Sequence, residues 1–428
     1  MIIRTEPASQ STSRIMIATW GLFLSLLLLM LGNGLLASLL GLRSGLAGFS
    51  TNVTGVVMSG YYLGFLLGAF IAPKFVERVG HVRVYAALAS TASVSALVHL
   101  AFINPTLWFA MRFVTGFALA GLYIVAESWL ASEATPSTRG RILGAYMVVM
   151  MGGYALSQAL LTVSDVTGFT LFVLASILVS FAVVPVSLSA SPTPDFSAPT
   201  KLPTRAIWDS APLGVVTGIA SGLAAAAFLG MGTVYASSVG MSVDRVALFV
   251  GLGVSGSVVL QWPIGAISDR FPRRRVLLTL TTVASLVAFA GSAVDPAGAL
   301  LLAVVFLYGA LAFPLYSVGL NHINDYIPPG AAMSASVVFV FVNGLGAVAG
   351  APIAATAMTE LGPHGYFWVL GVIHGAVGIY AAVRIVVREG IPVKAQRSFT
   401  MLPARTGSAL ALLGRRRRPP NGDTKPRS

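Results

Sequence analysis

Two ionisable side chains stand inside otherwise apolar sequence, and both lie in one run, 106–131: Arg112 and Glu127. An arginine surrounded by hydrocarbon is costly and faces a water-filled cavity or a partner. A carboxylate in the same setting can be presented alternately to the two sides of a barrier and carry a proton across. Arg112 lies about six residues into the run, roughly 9 Å deep, and Glu127 follows about 22 Å farther along a helix and about 60° around it. One cavity can therefore hold both, although they cannot pair directly. Each has a plainer assignment. Arg112 can snorkel back to the nearer membrane surface, and Glu127 can be tied to Arg139 or Arg141, locking a gate. The sequence leaves both choices open.

Other chemistry is sparse. The five histidines are scattered, there is no cysteine, and neither H-E-x-x-H nor paired carboxylates occur. Disulfides and thiolate metal sites are excluded; no cofactor, metal or enzymatic activity is expected. No G-x-x-x-x-G-K-[ST] phosphate loop exists, so ATP is not the direct energy source. An ion gradient, or simple uniport, remains.

Charge is otherwise concentrated at the ends of apolar runs. The stretch 265–277 reads G-A-I-S-D-R-F-P-R-R-R-V-L and sits between uncharged runs at 246–267 and 276–294. Each run is about long enough to cross a bilayer core as a helix, and the arginines would hold the joining loop on the cytoplasmic side. A second copy, P-K-F-V-E-R-V-G-H-V-R-V-Y at 73–85, places Glu77-Arg78 192 residues before Asp269-Arg270, with Arg83 matching Arg275. Leu122-Tyr123 and Pro136 recur as Leu315-Tyr316 and Pro329 at an offset of 193. Two regions that agree on a half-length offset mark an internal duplication of the kind found in transporters.

The 265–277 stretch resembles the G-x-x-x-D-R-x-G-R-[RK]-[RK] loop of the major facilitator superfamily. Gly265, Asp269, Arg270 and Arg273 to Arg275 match; Pro272 replaces the usual glycine. The first copy keeps that glycine as Gly80, but has Pro73 for the leading glycine and Glu77 for the aspartate. Arg112, Gly116 and Ala120 similarly resemble the fourth-helix R-x-x-x-G-x-x-x-A motif, with Thr115 where many members carry glutamine. Through helix count and duplication the resemblance covers nearly the whole chain, and the branch looks like bacterial inner-membrane permeases of mostly unassigned substrate. It implies an all-α membrane protein with twelve helices in two pseudo-symmetric six-helix bundles. It also implies that Asp269 approaches Arg139, Gly140 and Arg141 at the start of the fifth helix, where dipole and arginines stabilise it. Glu77 would approach 329–334 by the same symmetry, a weaker latch because no arginine lies there. The gate residues are then Glu77, Arg78, Arg83, Arg139, Arg141, Asp269, Arg270, Arg273 and Arg274.

These residues need a scaffold, and composition restricts what it is. The chain of 428 residues is 56% hydrophobic and 10% charged, against about a quarter charged in a soluble domain; its mean hydropathy is +0.84. The net charge of +13 suggests nucleic acid until its distribution is followed. Of 27 Lys and Arg, 24 fall on segments that share the cytoplasmic side, Arg43 and Arg245 on the other side, and Arg112 inside a helix. That is the positive-inside pattern, not a basic face for nucleic acid, so no nucleic-acid partner is expected.

The expected order is a cytoplasmic N-terminus (1–14), a six-helix bundle (15–188), a proline-rich cytoplasmic linker (189–210), a second bundle (211–388) and a basic, unstructured cytoplasmic tail (389–428). The helices fall near 15–42, 54–75, 84–103, 106–131, 142–163, 168–188, 212–239, 246–267, 276–294, 299–323, 331–358 and 366–387. Pro263, Pro314 and Pro352 mark kinks. Candidates for a substrate and ion pathway between the bundles are Arg112, Glu127, Tyr123, Tyr61, Asn33, Gln158, Gln261, Trp262, Tyr316 and Asn343, with Tyr62, Tyr154 and His374 as further polar or aromatic positions; isolated cases also suit interhelical hydrogen bonds. His99 is placed at the outer interface, and Asn321, His322, Asn324 and Asp325 at an inner gate or cap. The expectation is a monomeric inner- or plasma-membrane protein, surrounded by lipid, that moves a small solute by alternating access with proton coupling. Mostly apolar and aromatic cavity candidates favour export of hydrophobic or amphipathic compounds. An uptake permease, a uniporter, a lipid flippase and a non-transporting sensor or scaffold are the alternatives.

Overall fold

The computed structural model describes residues 19–133, 138–188, 204–328 and 332–400. Twelve helices among them are long and apolar enough to cross a membrane: α1 (Trp20–Leu46), α2 (Thr51–Val79), α3 (His81–Ala101), α4 (Pro105–Glu133), α5 (Gly140–Thr162), α6 (Thr170–Ser187), α7 (Pro212–Ser238), α8 (Val243–Arg270), α9 (Arg273–Ala293), α10 (Ala299–Tyr326), α11 (Ala335–Leu361) and α12 (Gly365–Val387). In hydrocarbon every backbone N–H and C=O must find a partner within the segment, and a helix is the solution. Several helices overrun the apolar sequence by a turn. α2 continues through Glu77 and Arg78, and α8 through Asp269 and Arg270, so charged side chains sit at helix ends and not in the loops.

The two halves repeat one another in detail. In the first, α2 packs on α4, α1 on α5 and α6, and α3 on α4 and α6; in the second the same pairs recur with each number raised by six. Between halves α1 meets α7, α2 meets α11 and α5 meets α8, pairings that a twofold relation exchanges. The helix ends repeat too. Gly48 (φ 75°) and Gly240 (φ 78°), 192 residues apart, close α1 and α7. In both, the next residue's N–H reaches five residues back (Phe49 to Ser44, Met241 to Ala236) and the glycine N–H reaches three back. This left-handed glycine termination satisfies the last carbonyls.

The tightest contacts obey the same register. A Cβ added to Gly64 would lie 1.9 Å from the Phe113 carbonyl oxygen, and one on Gly116 1.9 Å from that of Tyr61. Their counterparts Gly256 and Gly309 would clash with the carbonyls of Phe306 and Gly253 at 2.1 and 1.7 Å. Each of these glycines and each of its carbonyl partners is displaced by 192 or 193 residues from its counterpart. Small residues let backbones approach where no hydrophobic force draws helices together.

Some expectations are corrected. The proline-rich linker expected over 189–210 ends in a helix, Thr204–Ser210, since its prolines all precede that stretch. The tail was expected to be unstructured from 389, but residues 389–400 include a 3-10 turn, Val393–Ala395, and hydrogen-bond back to the bundle. Pro263 and Pro352 are accommodated inside continuous helices; Pro314 does divide α10, into Ala299–Ala312 and Leu315–Tyr326. His99 is buried (1% exposed) because Trp108 packs on it at 5.7 Å between ring centres. The N-terminal segment 1–18, the linker 189–203 and the tail from 401 lie outside the described residues.

Gly309→Val is expected to push α10 off α8, costing about 1–3 kcal/mol by overpacking and lowering the thermal midpoint of the detergent-purified protein. Gly45→Ala, where nothing lies within 4 Å, is expected to leave it unchanged.

Candidate functional site

Where α2, α7, α10 and α11 meet across the seam, a cavity of about 40 Å³ remains. It has two unlike walls. The first-bundle wall is aromatic: Tyr61, Tyr62 and Phe65, with Leu66 and Ala69. Tyr61 meets Tyr62 edge-on at 5.2 Å and Phe65 at 6.0 Å, and Phe65 continues to Tyr123 at 5.9 Å. The second-bundle wall is made of small residues, Gly222, Ala225, Gly344 and Ala347, with Val340, Tyr316 and Asn343. No lining residue is charged. A water molecule needs roughly 10–15 Å³ of such space, so the cavity has room for a few waters and is too small for a solute in this conformation.

The seam is held at the end away from the arginine-rich loops. Gly55 faces Ala355 and the Ala351 carbonyl, Gly41 faces Thr233, and Gly251 faces Gln158. Thr359 donates its hydroxyl proton to Asn52 Oδ1 at 3.2 Å. Nearer the midpoint, Gly344 faces Leu66, and Phe70 meets Phe341 at 5.9 Å.

Ionisable groups stand behind the aromatic wall. Arg112 is 4% exposed, and its guanidinium lies over the Tyr61 ring, 4.6 Å from the centroid. It faces the bundle interior and not the membrane surface. Glu127 is 1% exposed and accepts a 2.5 Å hydrogen bond from the Tyr146 hydroxyl on α5. The Tyr316 hydroxyl is buried and has no hydrogen-bond partner among the described residues. On α4 Arg112 is buried, and so is every residue from Thr115 to Leu130, Glu127 included, apart from Phe117.

The other pathway candidates divide. Asn343 donates to the Gly218 carbonyl and Ser221 Oγ, both at 3.0 Å, while lining the cavity. Gln158 accepts from Ser38 at 2.7 Å and donates to Ser157 at 3.0 Å, Gln261 donates to Ser317 at 2.9 Å, and Tyr123 donates to Met30 Sδ at 3.7 Å; these hold helices together. Asn33 is buried, with Oδ1 unpartnered among the described residues. Trp262 is 70% exposed and does not line the cavity.

The gate expectation is altered. Among the described residues Asp269 bonds on its own bundle: its Oδ1 accepts from the Phe399 N–H at 2.7 Å and from Arg273 at 3.5 Å. Arg273 is the centre of this end. It is buried, pairs with Asp325 and donates to the Arg397 carbonyl. Asn321 and Thr400 bond reciprocally at 2.7 and 3.1 Å, the Arg397 N–H reaches Asp325 at 3.0 Å, and Phe399 covers Gly265. The segment after α12 was missed because it carries no motif; its backbone does the bonding. Arg274 is also buried, whereas Glu77, Arg78, Arg83, Arg141 and Arg270 are exposed. The Arg139 side chain and the 329–334 partner proposed for Glu77 lie outside what the structure describes.

Comparison with known proteins accords with this architecture. The Major Facilitator Superfamily profile matches residues 22–256 and 213–420. The chain belongs to that superfamily, as a multi-pass membrane transporter. It is 30% identical over 307 residues to an uncharacterized MFS-type transporter, YcaD, of Salmonella arizonae, covering 70% of this chain and 78% of the relative. A transporter of the same description from Yersinia enterocolitica is 30% identical over 277 residues, covering 62% and 69%. Among solved structures, the nucleoside transporter NupG superposes with a TM-score of 0.71 at 13% identity, covering 86% of this chain and 98% of its own. A D-xylose-proton symporter gives 0.69 at 15%, covering 90% and 100%.

Two outcomes are expected. Because the chain has no cysteine, Asn52→Cys with Thr359→Cys is expected to form an oxidative cross-link in membranes, detected by mass spectrometry. Tyr316→Phe removes a buried hydroxyl that gains nothing from the fold, so stability is expected to hold or rise by about 1 kcal/mol, while solute affinity changes.

Proposed function

We propose that this transporter moves a small, uncharged, largely apolar or aromatic solute by alternating access, coupled to protons, with export the direction. The observation that carries the reading is the cavity wall: aromatic rings on one bundle, small residues on the other, and no charge with which to clamp an acid or a base. A planar ring can lie on Tyr61, Tyr62 and Phe65, while Asn343 and the Tyr316 hydroxyl supply polar contacts. A cavity of about 40 Å³ must widen toward the roughly 300 Å³ or more of a ligand site, which the bundles achieve by rocking apart. The positive-inside distribution puts the arginine-rich end and both termini in the cytoplasm. One chain supplies both walls, so the working unit is a monomer.

Glu127 is the proton carrier in this reading. It is buried within α4, and Tyr146 orients it through a hydrogen bond. Arg112, stacked on Tyr61, ties the same aromatic wall to the fourth helix.

A thermal-shift screen of the purified protein against a solute library, followed by proteoliposome flux for each hit, tests the substrate class. Stabilisation only by sugars or acids would sink it. With a hit in hand, Glu127→Gln is expected to insert and bind solute normally while losing flux driven by a pH gradient. Undiminished gradient-driven flux would remove Glu127 from the mechanism.

A further inference from the structure

At the arginine-rich end, outside the seam, a cleft of about 440 Å³ opens between the short helix Thr204–Ser210, the start of α7 and the end of α12. Trp208, Tyr380 and Val387 form its apolar sides, and Arg384 and Arg388 its basic ones. Arg388 spans toward the short helix, donating to the carbonyls of Asp209 and Ser210 at 3.4 Å. Behind it Arg274 donates to the Arg388 carbonyl at 2.5 Å and to the Tyr326 hydroxyl at 2.5 Å. The Arg274 and Arg388 guanidiniums lie 5.6 and 5.9 Å from the Tyr326 ring centroid. Arg384 is half-buried and, among the described residues, has no side-chain hydrogen bond or ion pair.

Three guanidiniums therefore converge on one corner. No carboxylate lies within salt-bridge distance of any of them among the described residues, although Asp209 stands at the rim of the cleft; the ion pairs at this end belong to Arg273. Such a concentration of positive charge is complete only with an anion, and guanidiniums match phosphate oxygens in geometry. What lies above the cleft narrows the source of that phosphate. Ile379, Val383 and Val386 are 71%, 50% and 86% exposed and recur at helical spacing along one outward stripe of α12. Trp208, 46% exposed, has the amphipathic ring that settles at headgroup level.

We propose that this cleft binds one anionic phospholipid of the adjoining leaflet. Its phosphate sits between Arg384 and Arg388, and its acyl chains run along the Ile379–Val383–Val386 stripe. The lipid would staple the linker helix to α12 and so restrain the second bundle relative to the chain joining it to the first. Basic pockets between helices at the membrane surface take such headgroups.

The test uses the full-length protein in detergent with phosphatidylglycerol, phosphatidylcholine of the same chains, or inorganic phosphate. Native mass spectrometry counts bound lipid, and the thermal midpoint is followed in parallel. Phosphatidylglycerol is expected to be retained and to raise the midpoint. Retention should be at least about tenfold weaker in Arg384→Gln, and be restored in Arg384→Lys. Because the Arg384 side chain makes no hydrogen bond or ion pair among the described residues, an unchanged lipid-free thermal midpoint in Arg384→Gln is expected and separates lipid loss from a folding defect. Equal retention by wild type and Arg384→Gln, or no preference over phosphatidylcholine, would overturn the site. Stabilisation by inorganic phosphate alone, as strong as by the lipid, would make it a free-anion site and overturn the lipid assignment.

Discussion

Helices in hydrocarbon gain nothing from the force that assembles a soluble core, since lipid tails are as apolar as leucine. What joins them here is close backbone approach. Gly64 and Gly116 let α2 and α4 touch main chain to main chain, and Gly256 and Gly309 do the same for α8 and α10. These contacts cannot slide without meeting a carbonyl oxygen, so each half is stiff. The seam between halves is also held by close approach at one end, Gly55 on the Ala351 carbonyl and Gly41 on Thr233, with Thr359 on Asn52 and Phe70 on Phe341 beside them. The cavity lies on that seam.

Duplication preserved the backbone and let the chemistry diverge. At the offset of 193, Arg112 corresponds to Val305, Glu127 to Leu320 and Asn343 to Met150, while Tyr123 and Tyr316 are both tyrosine. Arg112 and Glu127 therefore belong to one bundle and the small-residue wall of the cavity to the other. Placing both behind the aromatic wall confines their desolvation cost to a single, well-packed helix, α4.

The arginine-rich ends diverge in the same way. Arg273 corresponds to His81, and Asn321 to Ser128. In the first half His81 Nε2 simply meets Ser128 at 3.0 Å. In the second, Arg273 gathers Asp269, Asp325 and the carbonyl of Arg397, drawing the segment after α12 onto the bundle. A buried guanidinium needs its donors satisfied, and the nearest supply is the main chain that follows α12. In this conformation Asp269 is thereby held on its own side of the seam.

Helix number, the half-length repeat and the positions of Arg112 and Glu127 were legible in the sequence. Lipid enforces long uncharged runs, the runs force helices, and any charge inside one stands out at once. The repeat was legible in the charged loops at 77–83 and 269–275 and in Leu122-Tyr123 and Leu315-Tyr316; the structure adds the same register in Gly48 and Gly240 and in Gly64 and Gly256. The cavity walls, the binding of Asp269 by Phe399, the burial of His99 and the cluster of Arg274, Arg384 and Arg388 were not legible. Each joins residues from helices far apart in the chain, and which face of an almost wholly apolar helix turns inward depends on the shape of its neighbours, a quantity that hydropathy does not carry.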